Sequence, residues 1–221
     1  MPKKSGNTGR VTKMPSCMPP DGLHGHHHAV QFYGTAHSLC TTVASFLAEG
    51  LVAGQPAIVI ATVSHGAAIL EELNHRFIDC EKAIRNGDLL LLDADATLDL
   101  FMIDGEPDPE LFEHNVGRLM DQAINGRQQT ILRTYGEMVD VLWKLGRSEA
   151  AIKLEILWNK LALKYNFALL CGYSMGSFYK QLKQLEGVIA HHTQVVGTDH
   201  AVADDHGTSV VPFPPKRARS A

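Results

Sequence analysis

The sequence lacks the features that mark membrane, secreted and zinc-finger proteins. No apolar run is long enough to cross a bilayer, and the N-terminus is polar and proline-rich, unlike a signal peptide. The four cysteines, Cys17, Cys40, Cys80 and Cys171, have no CxxC or metal-ligand spacing, which favours reduced thiols. We therefore expect a cytoplasmic protein with no membrane partner, no metal and no cofactor.

An excess of positive charge is also missing. Lysine and arginine number 20 against 24 aspartates and glutamates, which gives a net charge of −4 at pH 7. The basic run Lys216–Arg219 is confined to the last few residues, so direct binding to nucleic acid is not expected. The 45% hydrophobic and 20% charged residues are typical of a globular protein, and 221 residues suffice for one domain.

Composition divides the chain into one globular region and two polar tails. Residues 1–25 and 197–221 carry few large apolar groups, so we expect disordered tails on either side of a domain at 26–196. A histidine-rich tract, His24 and His26–His28, lies at the first boundary. It could bind a transition metal, but no neighbouring cysteine or carboxylate completes such a site, which favours a polar tail end.

Strand and helix patterns alternate through this region. Short apolar runs predict strands at Ala29–Tyr33, Ala57–Ala61, Asp88–Asp93, Thr130–Leu132 and Phe167–Cys171, with amphipathic helical spacing between them. Such alternation is typical of a mainly parallel sheet with helices on both faces. The sequence therefore predicts an α/β fold, a three-layer α/β/α domain.

The segment from Thr130 to Trp143 combines a core strand with a candidate site. Its first part predicts a buried strand and its last part, from Glu137, predicts a helix. Arg133, Tyr135 and Glu137 are then expected on the turn at the carboxyl end of the strand. Ligands of open parallel sheets bind at that edge.

A degenerate phosphate-binding loop follows the first predicted strand. Gly34 and Thr41 have the spacing of a GxxxxGK[ST] motif, but Leu39 and Cys40 replace its second glycine and its lysine. Leu39 would block the backbone approach to phosphate, and Cys40 supplies no positive charge. After the apolar pair Ile131-Leu132, Arg133 stands where an ATPase carries its magnesium-binding acid. These replacements argue against nucleotide hydrolysis.

Several longer motifs together carry a family resemblance. They are His28–Tyr33, Phe46–Leu51, Leu92–Ala94, Arg133–Val139, Leu142-Trp143, Leu154-Glu155, Leu157–Asn159 and Leu169–Tyr173. Over roughly His28–His192 the chain resembles the MEDS domain, a sensory domain named from methanogens, methylotrophs and the regulator DcmR. The resemblance implies a RecA/KaiC-like core without a functional phosphate loop, which senses small molecules, hydrocarbon derivatives among them. It also implies a regulatory partner, such as a kinase or transcription factor.

Polar residues near the expected strand ends form the candidate ligand site. They are Tyr33, His65, Asp93, Arg133, Tyr135, Glu137, Glu155 and Tyr173. Arg133 could bind a ligand carboxylate or hydroxyl, or form a salt bridge with Glu137, Glu155 or Asp93.

Other candidate residues have structural alternatives. Glu155 fits a structural network with Arg133 somewhat better than a ligand contact, and Tyr135 and Tyr173 could line a pocket or pack at its rim. Cys40 and Cys171 could form a redox pair, but two separately buried thiols are the favoured interpretation.

Three functions are compatible with this sequence. The first is a non-enzymatic sensor that binds a small organic ligand and signals through a partner protein. The second is a residual nucleotide-binding ATPase, and the third is a protein-binding adaptor with no ligand. A homo-oligomer is compatible with each.

Overall fold

The computed structural model describes residues 27–127, 129–178 and 182–196. Within these ranges the strands are β1 (His27–Tyr33), β2 (Ala57–Ala61), β3 (Leu89–Asp93), β4 (Met102–Ile103), β5 (Glu106–Pro107), β6 (Leu132–Gly136), β7 (Phe167–Ser174) and β8 (Gln194–Val196). The helices are α1 (Ala36–Val52), α2 (Val63–His75), α3 (Cys80–Arg85), α4 (Ala94–Leu98), α5 (Pro109–Ile124), α6 (Met138–Lys144), α7 (Ser148–Leu161) and α8 (Leu182–Ile189). The expected tails, with His24, His26 and the basic run 216–219, lie outside the described residues.

Six parallel strands form the central sheet in the order β3-β2-β6-β7-β1-β8. The strands β4 and β5 form a separate antiparallel hairpin. Helices cover both faces, so the predicted three-layer α/β/α architecture is confirmed. Across the ranges given above, no helix combines the length and the apolar character that crossing a membrane requires.

The two faces of the sheet bury separate apolar cores. One core packs α1, α2 and α3 against the sheet, with Leu39, Phe46 and Tyr135 among its buried members. The other packs α4 to α8 against the opposite face, with Trp158 and Tyr173 among its buried members. Because side chains alternate between faces along a strand, residues two apart in β6 or β7 enter the same core.

The central strand β6 begins later than its sequence predicts. It spans Leu132–Gly136, whereas the apolar pattern placed it at Thr130–Leu132. Arg133 pairs in register with Ala57, the first residue of β2. The prediction that Arg133 lies at the carboxyl end of its strand is therefore wrong, and Glu137 is the residue that follows β6.

Candidate functional site

Glu137 is the centre of a hydrogen-bonded group at the carboxyl edge of the sheet. Its Oε2 lies 2.7 Å from His65 Nδ1 and accepts a hydrogen bond of 2.9 Å from the Tyr135 hydroxyl. Its Oε1 accepts a hydrogen bond from the Thr62 backbone N–H. Burial raises the pKa of Glu137, but the bonds from His65 and Thr62 outweigh it and hold that pKa below its ordinary value. Glu137 is therefore an ionised carboxylate.

Local sequence explains why these groups meet. β2 ends at Ala61 and α2 begins at Val63, so the first turn of that helix carries His65 to the sheet edge. β2 and β6 are neighbours, and the Glu137 N–H donates to Ile60 O. Neighbouring parallel strands end side by side, which brings their next residues together.

A second polar group lies beside the first. The Tyr33 hydroxyl donates to Asp140 Oδ2 at 2.8 Å, and Lys144 Nζ lies 2.7 Å from the same oxygen. The Ser174 N–H donates to Asp140 Oδ1 at 2.9 Å. Burial, and then the charge of Asp140, raise the pKa of Tyr33 well above its ordinary value, so its hydroxyl keeps its proton.

Sequence reasoning missed Asp140 and Lys144. Their spacing from Glu137, three and seven residues on, was the available signal, because such positions share one face of a helix. Asp140 is buried although it is charged, and three donors compensate for that burial. These two residues extend the predicted set at the carboxyl edge.

His65 connects the two groups and faces solvent. Its ring makes an edge contact with Tyr33, with 5.9 Å between ring centroids. The side chain is 15% exposed, and no hydrogen bond to a described residue occupies its Nε2. We define Tyr33, His65, Glu137, Asp140 and Lys144 as the carboxyl-edge cluster.

A histidine paired with a carboxylate resembles the acid–base half of a hydrolase site, but a nucleophile is not built around it. The hydroxyl of Ser64 lies 3.4 Å from that of Thr62. Cys40 Sγ lies 3.9 Å from the backbone oxygen of His65, and burial raises the pKa of this thiol to about 11. Among the described residues, neither the Ser64 hydroxyl nor the Cys40 thiol forms a hydrogen bond with the His65 ring, which is the contact that activates a nucleophile.

The degenerate phosphate loop is an ordinary helix start. α1 begins at Ala36, with Thr35 as its cap accepting from Ser38 N at 3.2 Å. Leu39 N donates to Thr35 O, so the helical hydrogen bonding already includes the position of the missing glycine. The Leu39 side chain packs against Gly172, where an added Cβ would come within 3.1 Å of Leu39 Cδ1. Gly34 to Thr41 thus forms no cradle for phosphate.

Arg133 lies away from the carboxyl-edge cluster. Its Nε donates to Gln55 Oε1 at 2.8 Å, its guanidinium donates to Phe46 O at 3.1 Å, and the group stacks 5.0 Å from the Phe46 ring centroid. Glu49 is 3.9 Å away. The prediction that a guanidinium replaces the metal-binding acid at the strand end is therefore wrong, because Glu137 occupies that end.

Asp93 and Tyr173 also separate from the cluster. Asp93 ends the edge strand β3, and its carboxylate caps α4 by accepting from Ala96 N at 2.8 Å. Tyr173 is buried on the other face of the sheet from Tyr135, and its hydroxyl donates to Glu155 Oε1 at 2.8 Å. Asp93 thus has a capping role and Tyr173 a core contact.

Glu155 belongs to a second, fully buried polar group. His28, Cys171 and His192 surround its carboxylate, on the face of the sheet opposite Arg133. The predicted salt bridge and structural network of Glu155 with Arg133 are therefore wrong, because the Glu155 carboxylate contacts His28, Tyr173 and His192 instead. Cys40 and Cys171 lie in different cores, so the favoured prediction of two separate buried thiols is confirmed.

An open cleft of about 250 Å³ lies at the other end of the sheet. Its lining includes Leu51 from α1, Gln55 from the loop after it, Phe77 from the segment between α2 and α3, and Lys82 from α3. Gln55 also accepts the Arg133 hydrogen bond, so Arg133 lies behind one wall of this cleft. The cleft is distant from the carboxyl edge and shares no lining residue with the cluster there.

Comparisons with known proteins agree with this fold. The family model of the MEthanogen/methylotroph, DcmR Sensory domain (MEDS) matches residues 27–193. A KaiC-like protein from the hyperthermophilic archaeon Pyrococcus horikoshii OT3 is similar in structure, with a TM-score of 0.53, 14% identity, and coverage of 77% of this chain and 71% of that one. An uncharacterized Pyrococcus horikoshii protein in complex with an unknown peptide gives a TM-score of 0.54, 13% identity and 77% coverage of both chains.

At these identities the solved structures show the fold alone, which is KaiC-like and RecA-like as predicted. A search of the curated proteins gave no match. The family match, in contrast, runs from the start of β1 to Thr193 and so includes every strand of the central sheet except β8. By this match the chain belongs to the MEDS family of sensory domains.

Proposed function

We propose that this chain is a non-enzymatic sensor that binds a small organic molecule at the carboxyl-edge cluster. Its family is a sensory one, which supports the class of function. The observation that carries the site is the pairing of His65 with Glu137. Glu137 holds one ring nitrogen at 2.7 Å, and the other ring nitrogen makes no hydrogen bond to a described residue on a side chain that is 15% exposed. We infer that a ligand binds to this second nitrogen.

The chemistry of this nitrogen indicates the ligand. When Nδ1–H donates to the carboxylate, Nε2 offers a lone pair that accepts from a hydroxyl or amine. Val63, the first residue of α2 and two residues before His65, is 78% exposed and leaves apolar surface at the start of the same helix. A short hydroxylated or otherwise hydrogen-bonding hydrocarbon derivative matches this combination.

Signalling follows from the bonds that Glu137 makes. The carboxylate joins the first turn of α2, through Thr62 and His65, to the start of α6. A ligand that binds His65 with different affinity in two arrangements of these helices shifts the population between them. A regulatory protein that docks on either helix would then read the shift.

A residual ATPase is the competing function. Glu137 at the end of β6 removes one objection to it, because an acid does follow the central strand. The early start of α1 at Ala36, inside the Gly34–Thr41 segment, and the buried Leu39 remain against it. The carboxylate of Glu137 is also already bound by three donors, so magnesium would have to displace them.

A thermal-shift screen on the full chain tests the proposal. The probes are short alcohols, amines, carboxylic acids and halogenated hydrocarbons, with ATP in the presence and absence of magnesium. We expect stabilisation by a member of the organic set that His65→Ala abolishes. The control His75→Ala, on the exposed end of the same helix, should retain it.

Two outcomes contradict the proposal. Magnesium-dependent stabilisation by ATP would favour the nucleotide-binding function instead. A stabilising compound whose effect survives His65→Ala but disappears in Lys82→Ala would place the ligand in the cleft at the other end of the sheet.

A further inference from the structure

Four side chains with metal-binding atoms converge in the core between β1, β7, α7 and the turn after α8. They are His28, Glu155, Cys171 and His192, and their ligand atoms all lie within 4.8 Å of one another. We propose that these residues bind one Zn²⁺ ion as a structural site. The site is separate from the carboxyl-edge cluster and does not depend on the proposed sensory ligand.

The spacing of the ligand atoms suits a tetrahedron. His28 Nε2 lies 3.1 Å from Glu155 Oε2 and 3.3 Å from Cys171 Sγ. Cys171 Sγ lies 3.7 Å from Glu155 Oε2, and His192 Nε2 lies 3.4 Å from Glu155 Oε1. With zinc bonds of about 2.0–2.3 Å, tetrahedral ligand atoms lie roughly 3.3–3.8 Å apart. These four distances lie near that range, and the remaining pairs, which lie within 4.8 Å, would shorten by up to about 1 Å when the ion binds.

Both histidines are oriented for metal binding by their outer nitrogens. His28 Nδ1 lies 3.1 Å from Asn159 Oδ1, and His192 Nδ1 lies 2.8 Å from Val188 O. Asn159 Nδ2 donates to His191 O at 3.0 Å, which aims its carbonyl oxygen at His28. When each Nδ1 carries the proton, both Nε2 lone pairs point into the cluster. Histidines that bind metals are held in this way.

One of these inner nitrogens has no hydrogen-bond partner among the described residues. His192 Nε2 is fully buried and accepts no donor, although Glu155 Oε1 is nearby. A buried polar atom without a partner is costly, and a metal ion would compensate it.

Charge balance also favours a divalent ion. Zinc binds a carboxylate and a thiolate, and Glu155 with a deprotonated Cys171 would neutralise its two positive charges. The neutral imidazoles of His28 and His192 complete the set without adding charge. The Tyr173 hydroxyl donates to Glu155 Oε1 and holds the carboxylate from outside. The mixture of thiolate, imidazole and carboxylate suits zinc better than magnesium or calcium.

The enclosure of the site indicates a structural ion and not a catalytic one. The side chains of His28, Glu155 and His192 are all 0% exposed, and Cys171 is 0% exposed as well. Four protein ligands leave no open position for a substrate, whereas catalytic zinc sites keep one. The ion would fasten the turn between α8 and β8, through His192, to β1, β7 and α7.

Metal content and cobalt spectroscopy on the full chain test the proposal. The chain is refolded with excess Zn²⁺, or with Co²⁺ as a spectroscopic probe, and desalted. We expect one zinc per chain. We also expect a cobalt spectrum with tetrahedral d–d bands and a thiolate charge-transfer band. Cys171→Ser should remove the charge-transfer band, and His192→Ala should weaken metal affinity about tenfold or more.

Two control variants separate this site from other metal-binding groups. Cys40→Ser changes an equally buried thiol in the opposite core and should leave the cobalt spectrum unchanged. His24→Ala with His26→Ala removes the nearby tail histidines and should leave one zinc bound. If Cys171→Ser and His192→Ala do not fold, the cobalt spectrum of the wild-type chain decides alone. Absence of bound metal, a spectrum without the thiolate band, or zinc lost only with the tail histidines would overturn the proposal.

Discussion

Arg133 occupies space that only a glycine at residue 50 leaves open. A β-carbon at Gly50 would lie 2.4 Å from Arg133 Cγ, closer than real atoms approach. Gly50 lies near the end of α1, and Phe46, one helical turn earlier, provides both a ring and a carbonyl oxygen to the guanidinium. The Phe46–Leu51 motif is thus explained by the arginine that it encloses.

Gly50→Ala should therefore destabilise the fold. The added methyl group forces Arg133 from its position, and overpacking of this kind costs about 1–3 kcal/mol. Urea unfolding at neutral pH measures the change. Gly187→Ala is the matched control, because Gly187 is also helical and the nearest atom to its added Cβ is 4.0 Å away. Equal losses in the two variants would contradict the proposed role of this close approach.

Asp140 and Lys144 should contribute unequally to the free energy of unfolding, although they form one ion pair. Asp140→Ala leaves the Tyr33 hydroxyl and the Ser174 N–H without their acceptor and should cost roughly 3 kcal/mol. Lys144 is 51% exposed, so Lys144→Ala should cost less than about 1 kcal/mol. Chemical unfolding measures both, with the exposed Asp99→Ala as control. Similar losses for Asp140 and Lys144 would refute this ranking.

Glu137 should make stability depend on acid. The pKa of Glu137 is lower in the folded protein than in the unfolded chain, where it is about 4.5. The ionised carboxylate therefore contributes its full stabilisation of the fold above about pH 4.5, and this stabilisation is lost as the pH falls through the lower, folded-state pKa. Glu137→Gln should be less stable than wild type at neutral pH, and the difference should shrink below about pH 4.5. Urea unfolding at a series of pH values measures it. Glu71→Gln, exposed on α2, is the control, and a difference that stays constant with pH would contradict the assignment.

Restoring the phosphate-loop sequence should not restore nucleotide binding. Leu39→Gly with Cys40→Lys removes a fully buried leucine and places an ammonium in the core, which should cost more than the roughly 2–5 kcal/mol of a leucine-to-alanine change. Thermal melting with and without magnesium-ATP should show a lower melting temperature and no stabilisation by ATP. His37→Lys, exposed on the same helix, is the control. ATP-dependent stabilisation of the double variant would show that a cradle can form there.

The hydrophobic pattern predicted a strand correctly where residues close in sequence determine its burial. Ala57–Ala61 is apolar throughout and is buried on both faces, so its predicted and observed bounds agree. β6 was misplaced because Arg133 and Thr134 are polar yet buried. Phe46 and Gln55 bury Arg133. Both residues lie far from it along the chain, so no local sequence pattern reveals the contact.

The same reason explains which site residues were missed. Tyr33 ends β1, and His65 and Glu137 follow β2 and β6, so the topology of a parallel sheet was enough to group them. His28 and His192 are 164 positions apart in the numbering, yet their rings lie 4.2 Å apart. That contact depends on β8 returning to the edge of the sheet beside β1, which no spacing rule indicates.

Glu137 also has a consequence for cooperativity between helices. One carboxylate receives the amide that opens α2 and lies at the residue from which α6 starts, so neither helix end can rearrange without disturbing the other. A ligand that displaced the His65 imidazole from Glu137 would therefore weaken the contact between the starts of α2 and α6. A local encounter at the rim of the sheet would in this way reach the helices on both of its faces.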